Sequence, residues 1–165
     1  MEVLFVTPAD INRFTALNGN VDQDKFLQFV KIAQDIHIQQ YLGTRLFEKI
    51  KDDIVAETLS NPYLNLLNVY IKPMVIHWAL VEFLPFSSVV IGNKGVYRQT
   101  AENGDIVSKD EIDSLTAKQR DLAQYYTRRF IDFMCFNSAT FPEYLNNSND
   151  DIYPSKESDY SNWVL

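Results

Sequence analysis

The sequence predicts a mainly α-helical domain: a small helical bundle with a kinked central helix, one β-hairpin or protruding loop, and an extended C-terminal arm. Three observations carry this expectation. Apolar residues recur at helical spacing through most of the 165-residue chain. Helix-start signals stand at Thr7-Pro8, Asn61-Pro62 and Ser108-Lys109-Asp110-Glu111. The single glycine-punctuated, β-branched stretch falls between residues 88 and 107, and a polar, breaker-rich composition sets in at Asn137. The length suits one domain. Residues 1–136 are expected to form the helical domain, with 88–107 inserted in it, and residues 137–165 the arm.

Residues 3–6, VLFV, read as a short strand or an extended segment. Thr7 then supplies a capping hydroxyl and Pro8 a first-turn proline whose missing N–H costs nothing there, so a short helix follows to about Leu17. Asn18, Gly19 and Asn20 interrupt it. From Asp22 to about Tyr41, Phe26, Phe29, Val30, Ala33, His37 and Tyr41 form one stripe. Gly43 closes that helix because a helix end needs the left-handed backbone that glycine tolerates. Thr44 is placed to cap the next helix, whose apolar positions are Leu46, Phe47, Ile50 and Ile54.

Asn61 and Pro62 offer the cap and first-turn proline of a further helix, with Leu64, Leu67, Ile71, Val75, Trp78 and Leu84 along one side. Pro73 removes a backbone hydrogen bond in mid-pattern and is expected to kink or split it. The half after Pro73 is apolar nearly all round, which predicts the most buried element, ending at Pro85. Residues 88–107 read as a hairpin or loop with Gly92-Asn93-Lys94-Gly95 as its turn and a second turn signal at Asn103-Gly104. Ser108 and Glu111 match a capping box, and Thr116 with Gln119 a second one, so a short helix is expected before a long one that ends near Phe136. Its stripe is Ile112, Leu115, Leu122, Tyr126, Phe130 and Phe133. The polar tail keeps Phe141, Tyr144, Leu145, Tyr153, Tyr160, Trp163 and Leu165. Aromatics on a polar string fit an arm that docks on a partner, and equally one that packs on its own domain.

The formal net charge of −7 argues against a nucleic-acid binder, which usually shows a basic face. Arg128-Arg129 reads as solvated charge on a helix face. The one cysteine, Cys135, excludes an internal disulfide and reads as a buried hydrophobe within FIDFMCF. No run of 18 apolar residues occurs, and residues 74–86 are too short to span a bilayer. His37 and His77 lack a ligand partner one turn away, so each reads as a satisfied core or boundary residue rather than half of a metal site. Phosphate-cradling and serine-nucleophile motifs are absent. Asp110, Glu111 and Asp113 complement a helix N-terminus, and Asp150-Asp151 lacks the rest of a calcium loop. The expectation is a non-enzymatic chain without catalytic residue, metal or cofactor.

The order of features carries a resemblance. TPADINRF precedes a helix ending IQQYLGTRLFEKI; then come KPMVIHWALVEFLP, the loop VVIGNKGVYRQT, a long helix opened by SKDEI and holding AQYYTRRFIDFM, and a polar tail with YPSK. Over roughly residues 1–160 the chain resembles the head–tail connector (adaptor or ring) proteins of tailed bacteriophages, those of crAss-like phages in particular. The resemblance implies a structural virion protein, made in the host bacterial cytoplasm and placed at the head–tail junction. Its subunits would form a homo-oligomeric ring, commonly of twelve, joining the portal protein to neighbouring tail or ring proteins. DNA would pass through the channel without sequence-specific binding, and no membrane is involved. By position, residues 89–107 match the family's protruding loop and residues 137–165 its C-terminal arm. The candidate contact residues are then Val96 and Tyr97 in the loop, with Phe141, Tyr144, Tyr153, Tyr160, Trp163 and Leu165 in the arm. The competing expectation is a soluble helical adaptor or regulator that binds one partner through the arm.

Overall fold

The computed structural model describes residues 2–17, 23–93, 95–98, 107–146 and 151–158. Within them the chain forms a mainly α bundle with one two-stranded antiparallel hairpin, as the sequence predicts. Its helices are α1 (Pro8–Phe14), α2 (Gln23–Ala33), α3 (Gln39–Leu42), α4 (Thr44–Val55), α5 (Tyr63–Leu66), α6 (Lys72–Phe83), α7 (Lys109–Asn137) and α8 (Pro142–Leu145). The strands are β1 (Val89–Gly92) and β2 (Gly95–Arg98).

The helix starts follow local chemistry. Thr7 and Asp10 form a reciprocal capping box on α1, and Ser108 and Glu111 form one on α7. Asp10 also accepts from Lys72 Nζ at 3.1 Å, which ties α1 to the start of α6. Burial works against the Asp10 carboxylate, but the Thr7 N–H and Lys72 outweigh it and hold the group below its usual range. The box at Thr116 is not used. Thr116 donates to Ile112 O inside one unbroken 29-residue helix, since the capping geometry at Ser108 already starts it. Residues 3–6 form no strand. Val3, Phe5 and Val6 are buried instead, and Gln34 holds them: Phe5 N donates to Gln34 Oε1 (2.6 Å) and Gln34 Nε2 to Val3 O (3.1 Å).

Two of the long helices contain a widened π-helical turn. One, Gln34–Ile38, joins α2 to α3; there Gln39 N reaches Gln34 O, five residues back. The other, Leu67–Ile71, joins α5 to α6, with Lys72 N on Leu67 O. Pro73 stands two residues past its end, so the disruption expected from the missing N–H appears as a wider turn within a continuous helix. Asn61 does not cap this helix: Pro62 takes the cap position and no side chain bonds there.

Tyr63–Phe86 is therefore a single helix of 24 residues, long and apolar enough to cross a membrane by length and composition. That corrects the expectation from residues 74–86 alone. In this fold α6 is the central element. It packs between α2 and α7, and Met74, Val75, Ile76, Trp78, Ala79, Leu80 and Val81 are all buried. Leu64, one turn before the bulge, is exposed rather than part of that side.

On α7 the buried stripe is Ala123, Thr127, Phe130, Ile131 and Met134. Leu115 lies outside it, exposed. Cys135 is also exposed, against the expectation of a buried thiol. It follows Met134 by one residue, about 100° further round the helix, which carries it off the buried arc.

Candidate functional site

The 84–98 segment leaves the end of the central helix and projects as the hairpin. Leu84–Phe86 adds one 3₁₀ turn, closed by Ser87, whose N–H and hydroxyl both donate to Leu84 O. Phe86 lies 5.5 Å from the Phe29 ring and anchors the base on α2. The strands pair Val89 with Arg98, Val90 with Tyr97, Ile91 with Val96 and Gly92 with Gly95. The turn therefore sits at Gly92-Asn93-Lys94-Gly95, as the sequence predicts; Lys94 itself, and the Asn103-Gly104 signal, lie outside the described residues. Gly95 has φ of 119°, a backbone that side chains resist. A Cβ on Gly92 would come within 3.2 Å of the Tyr97 hydroxyl, so Tyr97 lies across the glycine on its own face of the ladder.

Alternation places Ile91 and Val96 together on the other face. They are 71% and 68% exposed, and Tyr97 is 54% exposed. Every residue of β2 is exposed. This is an apolar hairpin lying open to solvent, and it includes Val96 and Tyr97 of the sequence-derived candidates. Ile91 escaped the sequence reading. Its signal was the cross-strand pairing with Val96, which needs the turn to be fixed first.

The arm candidates divide. Phe141 and Tyr144 are 1% and 3% exposed and belong to the core, which corrects their reading as contact residues. Phe141 meets Tyr63 edge-on at 5.3 Å, and Tyr144 meets Phe130 at 6.4 Å. Residues 138–145 turn back sharply at the end of α7, so these rings fold under the helix that precedes them. The Tyr144 hydroxyl is buried with no hydrogen-bond partner among the described residues. Burial first, then Cys135 and Tyr153, push its pKa up to about 12. Tyr153 is exposed. Tyr160, Trp163 and Leu165 lie outside the described residues.

Residues 151–158 run along the body. Thr44 N donates to Ile152 O (3.0 Å), Ile152 N to Thr44 Oγ1 (2.9 Å), and Ser155 N to Gln40 O (2.9 Å). Pro154 is buried. Thr44 thus does not cap α4, whose cap position is Gly43 at φ 75°. Its hydroxyl holds the C-terminal segment and also accepts from Gln39 Nε2 at 3.1 Å.

Both histidines are satisfied from other elements. His37 meets Glu82 at 2.7 Å and stacks on Trp78 at 4.0 Å. His77 Nδ1 bonds Gln119 Oε1 at 3.1 Å and its ring stacks on Tyr126 at 5.0 Å. Burial lowers the His77 pKa, and the Gln119 bond opposes this. Among the described residues no group of three or more His, Cys, Asp or Glu is placed to hold a metal ion.

Residues 38–153 match the model of a family described as a family of unknown function, DUF6712. No curated protein and no solved structure matches the chain. The matched span runs from the first π turn through Tyr153 and so contains the central helix, the hairpin, α7 and the start of the docked C-terminal segment.

Proposed function

The chain belongs to the DUF6712 family, whose function is unknown, and from its architecture we propose that it is a structural assembly subunit: one member of a ring that joins a phage portal to its tail. The observation that carries this reading is the hairpin. A two-stranded ribbon is marginal in water, and this one, two-stranded among the described residues, leaves an apolar pair and a tyrosine exposed at its far end. Such an element is completed by a neighbour, and rings are built from contacts of that reaching kind.

The anionic balance of −7 suits a subunit lining a DNA conduit, because like charge keeps a passing duplex from adhering. Tight duplex binding at low salt would count against this role. The one-partner adaptor reading relied on the arm. Residues 151–158 already pack on their own domain, and this moves weight from the arm to the hairpin.

The experiment is the mass in solution by light scattering across a wide concentration range, with negative-stain images of the largest species. Closed rings of uniform subunit number are the expected result. A stable 1:1 complex with a single soluble partner, with no ring formed alone or on a portal, would replace this reading with the adaptor.

A further inference from the structure

The helical hydrogen-bond ladder breaks at Gly43, between α3 and α4. Gly43 N still reaches Gln39 O at 2.9 Å. The next rung would join Thr44 N to Gln40 O, but Gly43 at φ 75° and ψ 156° turns the chain out of the helix. Tyr41, Leu42 and Gly43 are buried, which fixes this corner in the core. The C-terminal segment takes both groups of the broken rung. Thr44 N donates to Ile152 O, and Ser155 N donates to Gln40 O. A donor and an acceptor that the break would leave unpaired are thereby satisfied by one extended piece of chain.

The Thr44 hydroxyl adds a third point, accepting from Ile152 N while Gln39 Nε2 donates to it from the other side. Along the segment Ile152 is half-buried, Tyr153 exposed and Pro154 buried. That alternation is the mark of an extended chain laid on a surface and read through its backbone. Past Ser155 the fit loosens: Lys156, Glu157 and Ser158 stand across an open cleft of about 380 Å³ from Arg128, Ile131 and Asp132. Recognition is therefore concentrated in residues 152–155.

We propose that the corner between α3 and α4 is a recognition site for an extended segment, and that residues 152–155 of a second copy occupy it in the assembled state. The segment seated on the corner is what selects this occupant: a second copy carries the same residues and makes the same bonds, so exchange needs no new surface. Residues 146–150, which lead to the segment, are Asn-Asn-Ser-Asn-Asp and have no apolar side chain. The seven-residue step from Leu145 to Ile152 spans up to about 25 Å when extended. In a dilute monomer the covalent link keeps the segment on its own corner. Where other contacts hold copies side by side, a neighbour's segment competes at a comparable effective concentration. Passed from copy to copy, the contact is heterologous and suits a closed ring. It rests on the assembly role proposed above and names the surface and the partner.

The test uses full-length chains. Ile152→Pro with Ser155→Pro removes both N–H donors of the segment and leaves the corner intact. Thr44→Pro removes the N–H and hydroxyl of the corner and leaves the segment intact. Thr44 is the first residue of α4 and follows extended backbone at Gly43, a place where a helix accepts proline. Neither variant can fill its own corner or that of an identical copy. One is isotopically labelled, the two are mixed, and pairs are counted by native mass spectrometry. Mixed pairs are expected in about tenfold excess over like pairs. A statistical mixture would overturn the exchange, because a contact elsewhere is blind to these substitutions. A second measurement keeps every recognition group, since Gln40 and Ser155 act through their backbones: in a Cys135→Ser chain, Gln40→Cys and Ser155→Cys are joined by a short bis-maleimide. Links between chains are expected to rise with protein concentration. Links confined within single chains, even in rings, would overturn the exchange and leave the ring reading standing. Links between chains that stop at pairs would keep the exchange and remove the ring.

Discussion

Trp78 donates its indole N–H to Thr127 Oγ1 over 3.0 Å, and the Thr127 hydroxyl in turn donates to Ala123 O at 2.8 Å. Both residues are buried, so this relay is a fully buried polar link between the central helix and α7. Trp78→Ala is expected to cost about 3–5 kcal/mol through the cavity it leaves. Thr127→Val keeps the shape but strands the indole N–H, at about 1–3 kcal/mol. Urea unfolding measures both. A loss under about 1 kcal/mol for Trp78→Ala would mean that the link does not bear on stability.

Gln34 is expected to be nearly as sensitive. Gln34→Leu leaves the buried Phe5 N–H and Val3 carbonyl without their partner, at about 1–3 kcal/mol for each orphaned group. Thermal melting and protease cleavage before Thr7 report it. A variant that melts normally but is cut early would show that the N-terminal segment detaches without weakening the bundle.

His77 makes stability fall on acidification. Its folded pKa lies below the ordinary value of 6.5, so the unfolded chain takes up the proton first. The contribution is full above pH 6.5 and is lost progressively as pH falls from there toward the folded pKa. His77→Gln is expected to flatten this part of the profile. Denaturant midpoints between pH 7.5 and 5 measure it, and an unchanged slope in the variant would assign the dependence to another group.

Removal of residues 146–165 is expected to leave the helices folded and to lower the melting temperature by a few degrees. Thr44 and Gln40 lose the backbone partners that Ile152 and Ser155 supply, but their groups then face water rather than the core. Circular dichroism distinguishes this from a collapse of helicity, which would make the arm part of the folding core.

Ile91→Thr with Val96→Thr keeps strand propensity while removing the exposed apolar pair. The melting temperature is expected to stay the same and self-association to weaken. Unchanged mass by light scattering would show that the hairpin is not the contact.

The hairpin shows how far local signals reach. Gly92-Asn93-Lys94-Gly95 was readable as a turn, and the turn then sets every pair from Val89–Arg98 to Ile91–Val96. That Ile91 would be among the most exposed residues was not readable, because a β-branched run looks the same whether or not something covers it. The arm's two alternatives, docking on a partner or packing on its own domain, could not be separated locally for the matching reason. Phe141 and Tyr144 stand in polar sequence, yet the turn after α7 folds them beneath Phe130 and Tyr63.

The sequence by itself determined the helix starts at Thr7 and Ser108, the closure at Gly43, the disruption before Pro73 and the place of the hairpin, because each depends on residues within about one turn of one another. Only the tertiary structure decided that Cys135 faces out, that Thr44 holds Ile152 rather than capping α4, and that His37 finds Glu82 45 residues away. Those outcomes depend on which helix faces meet, and burial is settled by contacts between segments far apart in the chain.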